Sequence, residues 1–190
     1  MKQFYFIKTK KLSAMKILKW ILGIIALLLA LGFLMPGTTH VERTIDINAP
    51  AITVFNQVNE LKNWDNWSPW AKLDPNTVWK YSEPSSAGLG AYYTWASEQR
   101  NVGKGKITIL ESKPNELVRN KMEFEGAGDA LSNFILTSKD SSSTKLVWTF
   151  ESDNGLNPFS RWMSLFMDKM IGPDYEKGLA NMKAYCELKK

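Results

Sequence analysis

Cysteine and histidine are almost missing from this chain of 190 residues, which contains one of each, Cys186 and His40. A single cysteine allows no disulfide within the chain and no zinc site built on several thiolates. A Ser-His-Asp or Cys-His triad would have to use His40, which follows directly on a long apolar segment and is a poor candidate for a general base. Because the sequence also has no glycine-rich phosphate loop and no metal-ligand cluster, we expect neither a cofactor nor a metal.

Acidic residues are missing from the first 35 positions, where residues 1–19 carry six lysines. The chain has a net charge of +5, but without these six lysines its 24 basic residues become 18, against 19 acidic ones. The basic character therefore belongs to the N-terminal tail. We interpret it as a signal for membrane orientation and expect no nucleic-acid partner.

Residues 17–35 contain one charge, Lys19, at the edge of an otherwise apolar stretch. This length approaches the roughly 20 residues that span a bilayer. It exceeds the apolar core of about 7–15 residues in a signal peptide, and no small-x-small cleavage site precedes Thr38. We predict an uncleaved anchor, with a cleaved signal peptide and a soluble core helix as alternatives.

The lysines before the anchor predict that the N-terminus lies on the cytoplasmic side of the cytoplasmic membrane and that the C-terminal domain lies on its outer face. We therefore divide the chain into a basic cytoplasmic tail (1–16), a transmembrane anchor (17–35), a linker (36–39) and one domain (40–190).

Hydrophobic periodicity changes several times within the domain. Residues 40–47 alternate as in a strand, and residues 51–61 show helical spacing. About six alternating segments follow between residues 77 and 151. From Asn157, a helix cap followed by Pro158, we predict a long helix to residue 188, with a kink or interruption at Gly172-Pro173. This order indicates an α+β fold in which a curved antiparallel sheet packs its apolar face on the long helix.

Five short motifs occur in a characteristic order: Ile47-Asn-Ala-Pro50 before a helix with Val54-Phe55, Trp67-Ser-Pro-Trp70, Gly103 to Ile109 followed by Pro114, Thr144 to Trp148, and Gly178-Leu179. Together they resemble the START-like or SRPBCC helix-grip superfamily, of the polyketide cyclase/dehydrase and lipid-transport type. The resemblance covers residues from His40 to about Cys186. It implies about six to seven strands wrapped around the C-terminal helix, and the anchor is an addition to that pattern.

The resemblance also implies a cavity between sheet and helix that takes an apolar small molecule. The expected lining consists of inward-facing positions: Trp95, Asn120, Met122, Phe124, Phe134, Trp148, Phe150, Trp162, Met163, Phe166 and Met170. The half of the helix before Gly172 is expected to face the ligand, and the half after it to close the fold. Alternatively, the same side chains simply fill a core.

Three functions remain open at this point: a membrane-anchored carrier of a lipid, isoprenoid or polyketide-like molecule, a cyclase or dehydrase using the same cavity, and a structural module. Polar candidates for catalysis are Glu98, Arg100, Tyr92 or Tyr93, Asn120 and Asn133. Their spacing does not require acid-base chemistry, and Glu98 with Arg100 is expected to form a surface pair. Trp64, Trp67 and Trp70 could cap a pocket or meet the membrane, but we expect them to wedge against the sheet.

Overall fold

The computed structural model of the protein describes residues 14–189. Most of the predicted tail (1–16) lies outside these residues. The first helix, α1 (Ala14–Gly32), has a mean hydropathy of 2.2 and is, within the described chain, the one helix long and apolar enough to cross a membrane. Such a helix is typical of a membrane anchor or of a signal sequence. It ends before residue 35 because Phe33, Leu34 and Met35 turn back onto Ala30, Leu31 and Gly32 through backbone hydrogen bonds.

The domain contains seven strands and two further α-helices. The strands are β1 (Thr38–Ile47), β2 (Val78–Tyr81), β3 (Tyr92–Ala96), β4 (Lys104–Lys113), β5 (Leu117–Phe124), β6 (Gly128–Ser138) and β7 (Thr144–Asp153). The helices are α2 (Ala51–Asn59), between β1 and β2, and α3 (Pro158–Leu188), which follows β7. The predicted α+β class and helix-grip architecture are confirmed.

The strands form one antiparallel sheet in the order β1-β7-β6-β5-β4-β3-β2. The first strand therefore pairs with the last one, while the remaining strands follow as a meander. The register between β4 and β5 shifts between Ile109 and Glu111, so Leu110 forms a bulge. A bulge bends its strand and increases the local twist, which helps the sheet to curve around α3.

Alternation along β6 and β7 assigns one face of the sheet to the core. Phe134, Leu146 and Trp148 are buried, whereas Ile135 and Lys145, which point the other way, are exposed. This is the pattern of an antiparallel sheet with one face covered.

The predicted helix at residues 51–61 is shorter in the structure, because Glu60 adopts an extended backbone conformation. A 3₁₀ helix (Leu61–Asn66) follows directly. The Glu60 carboxylate accepts hydrogen bonds from the Lys62 amide at 3.1 Å and from the Ser86 hydroxyl at 2.5 Å. The first bond gives a partner to a backbone N–H at the start of the 3₁₀ helix, which would otherwise be unpaired. Glu60 therefore marks the boundary between α2 and the 3₁₀ helix.

Helix α3 begins as predicted, with the Asn157 side chain accepting hydrogen bonds from the amides of Phe159 and Ser160. The interruption predicted at Gly172-Pro173 was wrong, since α3 runs through both residues. Proline within a helix costs about 3 kcal/mol or more. The turns around it are held by packing, because Gly172 and Tyr175 are buried.

An ion-pair cluster fixes α3 to β1. The Arg43 guanidinium donates hydrogen bonds to Asp168 at 2.7 Å and to Glu176 at 2.8 Å. These two bonds raise the pKa of Arg43, and the bond from Arg43 lowers the pKa of Asp168. Gly172 lies between the two acidic residues in sequence, and a side chain there would collide with the guanidinium. The helix thus approaches β1 closely at this point.

Candidate functional site

Trp64 and Trp67 wedge the 3₁₀ helix into the core, as predicted. Both are buried, and their indole N–H groups donate to the backbone carbonyls of Val58 at 3.2 Å and Gln57 at 3.0 Å. The Trp67 ring meets Trp148 edge-on, with the ring centroids 5.3 Å apart. Buried indoles with satisfied N–H groups contribute large contact areas without an unpaired donor. The segment is therefore a fixed part of the domain.

A cavity of about 280 Å³ lies beside these tryptophans, between the concave face of the sheet, residues 61–73 and α3. This volume is near the lower end of the roughly 300–1,000 Å³ found for small-molecule sites. About half of the residues that line it are aromatic, namely Trp64, Trp70, Trp79, Tyr81, Tyr93, Trp95, Phe124, Trp148, Phe150 and Tyr175. Such a wall suits an apolar molecule with a flat or ring-shaped part.

The predicted lining residues fall into three groups. Those that line this cavity are Trp95, Met122, Phe124, Trp148 and Phe150. Two more, Asn120 and Phe134, are fully buried but lie behind the wall. The four from α3, Trp162, Met163, Phe166 and Met170, lie outside the cavity. Contact of any of them with a ligand stays a prediction.

The face of α3 that meets the cavity differs from the expected one. Ile171 and Tyr175 line the cavity, whereas Phe166 and Met170 are exposed. Gly178 explains the choice of face, since a Cβ atom there would lie 2.9 Å from the Trp148 ring. The helix presents the side that can approach the sheet closely, and the bulkier stripe consequently faces outward.

A polar group within the apolar wall was not predicted. Ser132 on β6 accepts a hydrogen bond from the Trp148 indole N–H at 2.8 Å and is also hydrogen-bonded to the Tyr175 hydroxyl. Burial raises the pKa of Tyr175, so this hydroxyl is neutral at ordinary pH. Ser132 and Phe134 point to the same face of β6. A small polar residue on this otherwise apolar face is the feature of the sequence that could have indicated the polar group. Ser132 and Tyr175 can together orient one polar atom of a ligand.

Asp65 is a second polar group at the cavity that sequence reasoning missed. Although Asp65 is exposed overall, partial removal from water raises the pKa of its carboxyl group, against the effect of Lys72. Tyr81 and Tyr93 line the same cavity, and burial raises the pKa of both phenols. An acid with a raised pKa in a cavity is a feature that catalytic sites share.

The catalytic candidates taken from the sequence are more scattered. Asn120 is fully buried, and neither polar atom of its amide has a hydrogen-bond partner within residues 14–189. Asn133 points to the other face of β6, where it binds Thr149 at 2.9 Å and Arg119 at 3.0 Å. Glu98 is almost fully exposed and lies 4.0 Å from Lys104, so its pairing with Arg100 was wrong. Over the described part of the chain, no group of three or more metal-ligating side chains was found.

A curved seven-stranded sheet that wraps around a C-terminal helix, with an apolar cavity between the two, is a helix-grip fold. The sequence matches the family described as polyketide cyclase/dehydrase and lipid transport over residues 38–187, and the chain belongs to that family. No curated protein matches the chain. The family places the protein among domains that bind hydrophobic small molecules.

Similar solved structures agree on the fold. A Thermobifida fusca protein is 15% identical with a TM-score of 0.59, covering 76% of this chain and 90% of its own. A Staphylococcus aureus protein of unknown function is 12% identical with a TM-score of 0.58, covering 80% and 96%. DynU16, from the dynemicin biosynthetic locus, is 17% identical with a TM-score of 0.52, covering 80% of this chain and 48% of its own. At these identities the likeness concerns the fold alone.

Proposed function

We propose that the chain is a membrane-anchored binding protein that holds a lipid, isoprenoid or polyketide-like molecule without turnover. The aromatic cavity between sheet and α3 carries this proposal. An apolar ligand there would displace water from the aromatic rings of the wall. This displacement favours binding in proportion to the apolar area buried. Ser132 and Tyr175 would orient one polar atom of the ligand.

The anchor forms the second part of the proposal. Helix α1 is apolar except for Lys16 and Lys19 near its start, and nearly all of it is exposed. An exposed apolar helix of this length is stable when lipid surrounds it. With the basic tail (1–16) inside, the anchor (17–35) would hold the domain (40–190) by a short linker (36–39) on the outer face of the cytoplasmic membrane.

Filling the cavity tests the binding function. Ala71 lies half-buried at the cavity, so Ala71→Trp should occupy the ligand's space while the core stays intact. The matched control is Ala184→Trp on the exposed side of α3. Native mass spectrometry of the full chain, released from lipid nanodiscs after exposure to a lipid extract, should show a bound apolar molecule in the wild type and the control only. Equal occupancy in all three proteins, or none in any, contradicts the proposal, and the second result favours a structural module.

Protease treatment of intact cells that express the full chain tests the orientation. A protease added outside should digest the domain, and protection of the domain would contradict the proposed topology.

A cyclase or dehydrase is the second candidate, because Asp65 combines a raised pKa with a place at the cavity. A carboxyl group of this kind can transfer a proton to or from a ligand. Asp65→Asn should then abolish conversion of a bound polyketide-like compound but leave its binding intact. If conversion is absent in the wild type or unchanged in the variant, this candidate fails.

A further inference from the structure

Large apolar side chains line the outward face of α3 before Gly172. Phe159 is 69% exposed, Phe166 52% and Met170 56%. At 3.6 residues per turn these three lie within about 40° of one another around the helix axis, and the centre of the three is roughly 140–160° from the core residues Tyr175 and Met182. We call Phe159, Phe166 and Met170 the outer stripe. A contiguous exposed apolar stripe on a folded domain indicates a contact surface.

The same end of α3 is bound to α1. The Trp162 indole N–H donates to the Leu28 carbonyl at 2.9 Å, and the Arg161 guanidinium donates to the Phe33 carbonyl at 2.8 Å. A Cβ atom on Gly32 would lie 2.7 Å from Pro158, so the helices touch where α1 ends. The first turns of α3 therefore lie beside the C-terminal end of the apolar helix.

Charge and residue type on these turns suit a lipid surface. The carboxylate of Asp168 is paired with Arg43, and the Arg161 guanidinium is bound to backbone carbonyls. Trp162, on the flank of the stripe, is of the type that bilayer interfaces favour. An amphipathic helix of this kind binds with its apolar face about 5–10 Å into the boundary between headgroups and acyl chains.

We infer that the outer stripe of α3 lies in the surface of the same bilayer that α1 spans, so that the domain lies against the membrane and receives its ligand from the lipid phase. The inference rests on the proposed anchor. Ile171, one residue after Met170, lines the cavity. The cavity wall and the membrane-facing surface thus belong to the same turns of α3, and a lipid-soluble molecule is the class of ligand that this arrangement serves.

Depth-dependent quenching tests the contact on the full chain in vesicles of phosphatidylcholine and phosphatidylglycerol. An NBD fluorophore is placed on Phe166→Cys, with Met170→Cys as a second variant in case the first does not fold. Leu188→Cys, exposed at the far end of α3, is the matched control, and Ile21→Cys marks the span. The native thiol, Cys186, is buried, so unsubstituted protein gives the labelling blank.

Lipids with nitroxide-bearing acyl chains should remove most of the emission at positions 166 and 21, while aqueous iodide should quench position 188. If positions 166 and 170 behave like position 188 while position 21 is quenched by lipid, the inference fails and the anchor stands. Protection of position 166 from both quenchers also overturns it, because a second copy or another protein then covers the stripe. If position 21 is not quenched by lipid either, the proposed anchor fails together with the inference.

Discussion

The indole ring of Trp148 stacks on the phenol ring of Tyr175, with the ring centroids 3.9 Å apart and the planes 22° from parallel. Trp148 belongs to β7 and Tyr175 to α3, and both line the cavity. The contact that closes the helix onto the sheet is therefore also part of the cavity wall. Stability of the fold and shape of the cavity depend on the same two rings.

Substitutions of Tyr175 separate the contribution of its ring to stability from that of its hydroxyl group. Tyr175→Phe keeps the stack but loses the hydrogen bond with Ser132, which should cost about 1 kcal/mol of unfolding free energy. Tyr175→Ala also removes the ring and should cost about 3–5 kcal/mol. Unfolding of the full chain in detergent, followed by tryptophan fluorescence, measures both. Equal losses in the two variants would show that the stack contributes little.

Gly105 on β4 should control the position of Trp95. The two residues are cross-strand partners, and a Cβ atom on Gly105 would collide with the Trp95 ring and lie 2.5 Å from the Glu123 carbonyl oxygen. Gly105→Ala should therefore destabilise the domain by about 1–3 kcal/mol and shift the tryptophan emission. Gly23→Ala, in α1 with open space around it, is the control that should leave both unchanged. An unaltered emission spectrum in Gly105→Ala would contradict the close packing.

Asn120 and Thr144 should respond to apolar substitution with opposite signs. Both are fully buried, but Thr144 donates to the Ala49 carbonyl at 2.8 Å while the Asn120 amide has no partner in the described residues. Asn120→Leu should stabilise the protein by about 1–3 kcal/mol, because it removes an unsatisfied buried amide. Thr144→Val should destabilise it by a similar amount. Destabilisation by Asn120→Leu would mean that the amide has a polar partner in solution.

Acid should weaken the attachment of α3 to β1. The pKa of Asp168 is lower in the folded protein because Arg43 donates a hydrogen bond to it. Its contribution to stability is thus fully present above the ordinary aspartate pKa of about 3.9, and it is lost as the pH falls through the lower folded value. Thermal unfolding from pH 6 to pH 2.5 should therefore show a smaller decline in Asp168→Asn than in the wild type.

Arg43→Gln provides the partner control for that profile. It should flatten the acid dependence of unfolding in the same way, since it removes the donor of the Asp168 bond. Profiles that remain parallel to the wild type in both variants would rule out the ion pair as a source of acid sensitivity.

The inward faces of the strands could be predicted from the sequence, because alternation is a local property with a period of two. Phe134, Leu146 and Trp148 are buried, as their positions in the alternation along the strands indicate. Alternation along a strand does not show whether a buried residue borders a cavity or lies behind its wall. Phe134 and Trp148 share a face, yet only Trp148 lines the cavity, because the tryptophans of the 3₁₀ helix cover Phe134.

The orientation of α3 could not be predicted in the same way. Its sequence carries an apolar stripe with Phe166 and Met170 and another with Tyr175 and Leu179. Periodicity detects both stripes, but the choice between them depends on how closely the backbone can approach the sheet. Gly178 sets that approach through its contact with Trp148, which is distant in sequence. Asp65 was missed for a related reason, since its place at the cavity depends on how the 3₁₀ helix packs.

Photochemical labelling tests the central claim, that an apolar molecule binds between sheet and α3. An alkyl probe carrying a diazirine would be illuminated with the full chain in nanodiscs and its adducts located by mass spectrometry. We predict adducts in the peptides that contain Trp70, Met122 and Tyr175, and their loss in Ala71→Trp but not in Ala184→Trp. Adducts confined to α1 and the outer stripe, with none at these three positions, would contradict the account.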